Sequence, residues 1–355
     1  MSGRLKVSTL FEFLDSVGTL PTIFDMGRRI SPIPGEDILR FENTEIPYPL
    51  PLQQQAWMAF LLGNSGGTPE RFVWFLRFPL DEQGKLVQAA RDDFMHRLLE
   101  QIGENAEALK QGKGLEKAVE GNPYSFKPRD DRLAVFHAVA SRLLGEEASR
   151  YFAHAQGYFS GSLGWDQWPF VGYQGIADMA ARAEFPNNAM VLAAAVPVLP
   201  LRPLEALCHC LENALTPVEL SRALFDRGID ELNTEEPDTR LITAVIRGIS
   251  LSEGLSSEFL GKVLAAPCSR DPGVLSAIAA KSWESLTDPS LAESYLRQLA
   301  DNSDGQEVFN ACLTDLLFLP GMRAPLMKVL RDPDRTPPLS RAMGAFFRQL
   351  TGKPE

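Results

Sequence analysis

The residues with the clearest chemical potential are the two thiols and the imidazole of one tripeptide, Cys208-His209-Cys210. Thiolates and imidazole nitrogens are common zinc ligands, and paired thiols carry redox chemistry. The tripeptide lies in the helix-forming run LEALCHCLENAL, where side chains two residues apart diverge by about 200°. The other cysteines, Cys268 and Cys312, supply no second pair. The spacing therefore favours buried structural cysteines over a metal or redox site, and we expect no metal and no cofactor.

Sequence signatures of nucleophilic and phosphate-binding sites are missing from the chain. It contains no GxSxG, GxGxxG or HExxH segment, and no glycine-rich loop followed by Lys-Ser or Lys-Thr. The carboxylate pairs Asp92-Asp93 and Asp130-Asp131 each follow an arginine at an expected helix start, where capping explains them. The sequence therefore assigns no catalytic residue.

The segment YFAHAQGYFSGSLGWDQWPFVGY, residues 151–173, holds eight of the 32 aromatic residues of the chain. Rigid aromatic side chains on an adaptable backbone are typical of binding loops. The alternative is a hydrophobic hinge between two domains, and both interpretations stay open. We expect a structural role for Trp168, next to Pro169, and an anchoring role for Trp165. The candidate partner-binding residues of the segment are Tyr158, Phe159, Trp165, Trp168 and Tyr173.

Two charged segments offer further binding surfaces. Residues 226–238 hold six carboxylates against Arg227 alone, and a solvated loop is the alternative to docking of a basic partner. The end of the chain, residues 323–355, has a net charge of +4, and a polar helix that caps the fold is the simplest explanation. The acidic candidates are Glu231, Glu235 and Glu236, and the basic candidates for a nucleic-acid partner are Arg331, Arg335, Arg341 and Arg348.

The composition limits the class of protein. A length of 355 residues indicates about two to three domains, and 45% hydrophobic with 23% charged residues is ordinary for globular proteins. The net charge of −11 disfavours nucleic acid or an anionic membrane as a partner of the whole surface. The longest apolar run, residues 189–201, is too short to cross a bilayer. Without a signal-peptide pattern, the expected compartment is a reducing cytoplasm.

The first 150 residues carry the β-strand signals. Together the patterns predict a small antiparallel meander covered by helices, with strands confined to about residues 20–95. Asp92 or Asp93, and later Asp130 or Asp131, are expected to cap helices. The other predicted elements are a helix over 7–17, a strand over 22–33, a proline-rich extended segment without helix over 32–51, a strand over 71–80 and a returning strand over 85–89.

The remainder of the chain is helical in pattern and repetitive. Helices are predicted to start near residues 171, 203, 238, 271, 304 and 337, and the last four starts are 33 residues apart. A second helix lies between successive starts. A helix pair about every 33 residues predicts an α-solenoid, HEAT-like in the loose sense, with an irregular helical bundle as the alternative. The predicted caps are Asp238, Asp271, Asp304 and Thr336.

Two segments, VWFLRFPLDEQGKLVQAARDDF (Val73–Phe94) and NPYSFKPRDDRLAVFHA (Asn122–Ala138), resemble a proteobacterial family known only as a domain of unknown function. That family has a similar chain length, and the similarity covers nearly the whole chain. The resemblance implies a bacterial cytosolic protein. It supplies no reaction, ligand or site residue.

The sequence thus predicts an α+β domain over 1–150, an aromatic, glycine-rich hinge over 151–175 and an all-α helical-repeat domain over 176–355. The predicted function is a non-enzymatic scaffold or adaptor that binds a protein or peptide, with no membrane partner. One alternative is an enzyme with a site between the N-terminal sheet and the hinge. A third is nucleic-acid binding through the basic end. The oligomeric state stays open.

We expect the purified protein to contain no stoichiometric zinc, because Cys208 and Cys210 point apart on one helix. Elemental analysis of the purified chain measures this directly. A content near one zinc per chain would contradict the structural interpretation of the cysteines.

Overall fold

The structure of the protein, a computed structural model, describes residues 9–16, 21–63, 71–102 and 117–351. Contacts divide the chain into two compact units, residues 1–132 with Phe318–Pro320 and residues 133–317 with 321–355. The first unit holds a small antiparallel sheet, and the second is helical, so the chain is mostly helical. The division therefore lies between residues 132 and 133, before the predicted domain end at residue 150. The segment predicted as a hinge, 151–175, lies inside the second unit.

Strands of the first unit form one sheet in the order β2-β1-β3-β4, with every neighbouring pair antiparallel. This order differs from a simple meander, because β1 lies between β2 and β3. Buried side chains from β3 and β4, among them Phe60 and Trp74, form a core with those of the helices. The elements are α1 (Leu10–Ser16), β1 (Thr22–Asp25), β2 (Ser31–Ile33), α2 (Gly35–Glu42), β3 (Gln55–Gly63), β4 (Arg71–Pro79) and α3 (Gln88–Ile102).

Several local predictions for this unit were wrong. The predicted strand over 22–33 is a hairpin of β1 and β2. The proline-rich segment contains the helix α2, because Pro34 is its N-cap and no proline lies within it. Residues 85–89 form no strand, since only a single bridge joins Leu80 to Leu86. Helix α3 begins at Gln88, which places Asp92 and Asp93 inside the helix and not at its cap.

The second unit consists of helices joined by short connections. Its described part contains no strand, in agreement with the predicted limit on strands. The α-helices are α4 (Asp130–Leu143, beginning at the division), α5 (Phe152–Phe159), α6 (Tyr173–Ala181), α7 (Pro186–Ala195), α8 (Leu201–Leu211), α9 (Val218–Leu232), α10 (Thr239–Gly248), α11 (Glu253–Ala265), α12 (Pro272–Lys281), α13 (Pro289–Ala300), α14 (Gln306–Phe318), α15 (Arg323–Leu330) and α16 (Pro337–Thr351), and 3₁₀-helices span Trp165–Phe170, Pro267–Arg270 and Trp283–Thr287.

Helices of the second unit pack against their next-but-one neighbours in two rows. The first row is α6, α8, α10 and α12, and the second row is α5, α7, α9, α11, α13 and α15. The predicted caps Asp238 and Asp271 accept hydrogen bonds from backbone amides of the first turns of α10 and α12. Two other predicted caps were wrong. Asp304 lies two residues before α14, and its carboxylate accepts a hydrogen bond from the Ser303 hydroxyl. The Thr336 hydroxyl forms no hydrogen bond with any described group.

Asp25 joins β1 to the turn that follows it in the first unit. Its buried carboxylate accepts hydrogen bonds from the Tyr48 hydroxyl at 2.8 Å and from the Arg29 and Gly27 amides at 2.8 and 3.2 Å. Burial raises the pKa of Asp25 to about 6, although these donors and the Arg132 charge act in the opposite direction. The folded protein therefore binds a proton at Asp25 more tightly than an ordinary aspartate does.

Glu42 connects α2 to the start of α1 in a similar way. Its buried carboxylate accepts hydrogen bonds from the amides of Leu10 at 2.9 Å and Phe11 at 3.0 Å. These amides belong to the first turn of α1 and have no partner within that helix. Burial raises the pKa of Glu42 to about 7, against the lowering effect of the two amides and of Arg91.

We expect the first unit to lose stability as the pH rises from about 5 to about 8. The folded-state pKa values of Asp25 and Glu42, about 6 and about 7, exceed the ordinary 3.8 and 4.5, so the folded state binds protons more tightly. Stability is greatest below the ordinary pKa values and is lost as the pH passes the raised ones. At about 1.4 kcal/mol per pKa unit, the full difference is roughly 3 kcal/mol for each group, and the part that falls between about pH 5 and about pH 8 is roughly 2–4 kcal/mol for the two together.

Hydrogen exchange of the β1 and β3 amides, corrected for the intrinsic pH dependence, measures this change. Asp25→Asn removes one of the two titrating groups and should flatten part of the slope. A stability of these strands that is constant, or that increases, between the two pH values would contradict the prediction.

Candidate functional site

The predicted aromatic residues of segment 151–173 divide into a buried and a half-buried set. Tyr158 and Phe159 lie at the end of α5 with their side chains buried, so the structure places them in the core and not on a binding surface. Trp165 and Trp168 are half-buried in the following 3₁₀-helix. Their rings lie 5.4 and 5.9 Å from the Tyr158 ring. Both tryptophans therefore pack on the same tyrosine, whereas we expected different roles for them.

Phe170 is the most exposed aromatic residue of this segment. Its side chain is 73% exposed at the end of the 3₁₀-helix, after Pro169, while Tyr173 is half-buried. Phe170 was not among the residues predicted to bind a partner. No local pattern marks Phe170, because Pro169 and Phe170 belong to the same 3₁₀-helix as the two tryptophans.

The acidic candidates do not form a common site with the aromatic ones. The Glu231 carboxylate accepts a hydrogen bond from the Asp238 amide at 2.8 Å and so closes the connection between α9 and α10. Glu235 and Glu236 are exposed within that connection. This arrangement gives Glu231 a local structural role and leaves the other two on the solvated surface.

Exposed hydrophobic side chains are concentrated in residues 143–218, which we name the apolar segment. Nine of the eleven large hydrophobic residues that are exposed in the described part of the chain lie there. Residues 133–218 contain only eleven charged residues in 86, against 23% in the whole chain. Binding surfaces combine exposed apolar residues with few charges. The nine residues are Leu143, Tyr151, Leu163, Phe170, Phe185, Met190, Val198, Leu215 and Val218.

Leu215 and Val218 are the most exposed of these residues, at 76% and 74%. They flank Thr216 and Pro217 in the connection before α9, where Thr216 donates a hydrogen bond to the Gly248 carbonyl. The connection is therefore held to the fold while two apolar side chains point outward. Hydrophobic residues beside a proline in a turn, where polar residues are usual, are the sequence signal that was missed.

A buried ion cluster links three helices of the first row. Glu212 Oε2 lies 2.9 Å from Arg247 Nη1, and Glu212 Oε1 lies 2.6 Å from Lys281 Nζ. Glu212 and Lys281 are only 3% and 6% exposed. The three residues stand at the C-terminal ends of α8, α10 and α12, 35 and 34 residues apart. One carboxylate thus bridges two cations from the next two helices of the row.

The first helix of the row, α6, carries another buried ion pair. Asp178 is 34 residues before Glu212, and its Oδ1 lies 3.1 Å from Arg182 Nη1. Arg182 also donates hydrogen bonds to the Ser141 hydroxyl and the Glu146 carbonyl. Glu212 thus joins helices that are distant in sequence, whereas Asp178 and Arg182 lie one turn apart, and Arg182 connects α6 to the end of α4 and the residues that follow it.

Cys208 and Cys210 are buried in α8 and belong to the packing around the cluster. A Cβ atom added to Gly248 would lie 2.8 Å from Cys208 Sγ, so glycine allows α10 to approach α8 at this point. Burial raises the pKa of Cys208 and lowers that of His209, which keeps the thiol and the imidazole neutral. Among the described residues, no three His, Cys, Asp or Glu side chains converge as a metal site requires.

The enzyme alternative calls for a histidine paired with a carboxylate in a cleft. His96 Nδ1 lies 3.5 Å from Glu100 Oε2 on α3, and both side chains are mostly exposed. Burial lowers the pKa of His137, and the Asp178 charge acts in the opposite direction. Among the described residues, neither histidine forms a hydrogen bond with a serine, threonine or cysteine side chain.

None of the described helices is long and apolar enough to span a bilayer.

We expect Glu212→Ala to lower the free energy of unfolding of the helical unit by about 3–5 kcal/mol, because two cations would remain in a buried site without their carboxylate. The matched control is Glu293→Ala, which removes a carboxylate from the exposed pair with Arg297 in the same unit and should cost less than about 1 kcal/mol. Urea unfolding of both variants measures the difference. Equal losses in the two variants would show that burial does not govern the cluster.

Comparison with known proteins connects this architecture to one family. Residues 5–347 match the family model described as "Protein of unknown function (DUF3549)". Comparisons with curated proteins and with solved structures give no significant match. The match covers both compact units, with the sheet, the aromatic segment and the buried ion cluster inside it. On this evidence, the chain belongs to the DUF3549 family.

Proposed function

We propose that this protein is a non-enzymatic adaptor that binds another protein through the apolar segment of its helical unit. The single observation that carries the proposal is the concentration of exposed hydrophobic side chains in residues 143–218. Exposed apolar surface costs free energy in water, and a partner that covers it recovers that free energy. Nothing comparable is exposed on the helices between residues 219 and 346 of the described chain.

We infer further that the helical unit is a short α-solenoid. The two rows of next-but-one contacts support this arrangement, because each helix pair then packs on the pair before it. The ion cluster supports curvature of the first row. Packed helices lie about 8–10 Å apart, so a carboxylate reaches both following helices only where their C-terminal ends converge. A curved row offers a concave surface to a partner.

Site-specific crosslinking tests the adaptor role with the full-length protein. A photoreactive phenylalanine analogue at position 170 is activated in native cell extract, and crosslinked proteins are identified by mass spectrometry. We expect one partner to dominate, and expect Leu215→Ser and Val218→Ser each to lower its capture by roughly tenfold, since exposed anchors contribute most interface energy. The melting temperature should stay unchanged, because both side chains are already exposed.

Leu99→Ser is the matched control, since Leu99 is an exposed leucine of the first unit outside the apolar segment. This variant should capture the partner as the unmodified sequence does. Capture of the same proteins by all three variants would refute the proposal, as would crosslinks that are dispersed over many abundant proteins.

A further inference from the structure

The N-terminal ends of α7, α9 and α11 follow one another along one edge of the helical unit. Arg227, late in α9, donates a hydrogen bond to the Pro197 carbonyl just after α7, so these two neighbouring helices run in the same direction. The Ser221 and Ser252 hydroxyls lie 2.7 Å apart, which places the first turn of α9 beside the N-cap of α11. The three helix starts are therefore neighbours at the usual helix spacing of about 8–10 Å.

Apolar side chains occupy the first two positions of this edge. Phe185 is the N-cap residue of α7, Val218 is the first residue of α9, and Leu215 lies in the connection before it. All three side chains are exposed. Glu184, beside Phe185, is paired with Arg142, so the charge at the start of α7 is balanced. The edge therefore begins with two apolar contact points that are about one helix width apart.

Carboxylates continue the edge. Glu219 and Glu253 are exposed in the first turns of α9 and α11, and neither forms an ion pair or hydrogen bond with a described residue. The Arg222 guanidinium lies 5.2 Å from the centre of the Phe225 ring, so it is directed along α9 away from the edge. The α9 and α11 starts therefore carry negative charge that basic side chains of a partner can neutralise.

We propose that this edge binds an amphipathic helix of a partner protein whose apolar face continues into basic residues, an inference that rests on the adaptor role proposed above. Side chains seven residues apart on a helix share one face and are about 10.5 Å apart, close to the spacing of the helix starts. Two such apolar residues contact Phe185 on α7 and Val218 on α9. Basic residues about one and two turns further along the same face meet Glu219 and Glu253.

The two kinds of contact have different effects. Burial of the apolar side chains supplies most of the affinity, because exposed apolar area is removed from water. The pairs with Glu219 and Glu253 are exposed, so they contribute little affinity but determine which helix binds and in which direction.

Fluorescence anisotropy with labelled, end-capped helical peptides tests the proposal on the whole chain. The probe consists of alanine and glutamine with two leucines seven residues apart, and two lysines follow the second leucine after four and seven residues. Its isomer has the same composition, but each lysine is moved by two residues and so by about 200° to the opposite face. We expect the probe to bind about three- to tenfold more tightly than the isomer at about 50 mM salt, and the ratio to approach one at about 500 mM. Equal binding at low salt would overturn the charge argument.

Variants of the protein then locate the site. Glu219→Gln with Glu253→Gln should abolish the preference for the probe over its isomer. The matched control is Glu235→Gln with Glu236→Gln, which removes two exposed carboxylates from the connection before α10 and should keep the preference. Circular dichroism melts show whether both double variants are folded. Equal effects of the two double variants would refute the proposed site.

Leu215→Ser with Val218→Ser separates this inference from the adaptor role, and we expect it to weaken binding of the probe at least about tenfold. If this variant loses the probe while Glu219→Gln with Glu253→Gln keeps the preference, the apolar segment is a binding surface and the basic character of the partner is wrong. No binding of either peptide would refute the helix proposal, whereas the adaptor role is decided separately by crosslinking at position 170.

Discussion

The buried Glu212 carboxylate is the constraint on which the helical unit depends. A carboxylate at a helix C-terminus is opposed by the helix dipole, and its burial adds a desolvation cost. The positive charges of Arg247 and Lys281 offset the dipole repulsion and the desolvation cost. These two residues also stand at helix C-terminal ends, where positive charge is favoured. The three charges are balanced only when α8, α10 and α12 keep one relative position. The cluster therefore acts on the register of the helices more than on the total stability.

The first unit uses buried carboxylates in a different way. Asp25 and Glu42 are held mainly by neutral donors, the Tyr48 hydroxyl and backbone amides, and not by a direct ion pair. Neutral donors compensate burial less completely than a cation does, which is why the pKa values of both acids are raised. Both units thus hold buried carboxylates that connect separate segments inside an apolar core. Their partners are neutral donors in the first unit and cations in the second, so the two units respond differently to pH.

Surface charge separates three parts of the chain that burial alone does not distinguish. The apolar segment has few charges, the connection before α10 is acidic with Glu235 and Glu236 exposed, and the last helices are basic. A surface with few charges suits an apolar partner.

Local sequence determined much of the fold. The strand β4 follows from its aromatic and β-branched residues, and starts of α10 and α12 follow from an aspartate cap beside a proline, because these signals act within one turn. The density of prolines did not predict α2, because a proline at the N-cap, such as Pro34, begins a helix and does not interrupt it. The family resemblance, too, was carried by the sequence alone.

Only the tertiary structure decided the sites. Whether Tyr158 is a core residue or Phe170 an exposed one depends on which helix covers each ring, and no local pattern encodes that. Glu212, Arg247 and Lys281 are ordinary charged residues in the sequence, 34 to 35 residues apart. They become one cluster because helices pack in a row that brings every second helix end to the same level. The sequence sets such periods, and the packing of distant segments determines which side chains meet.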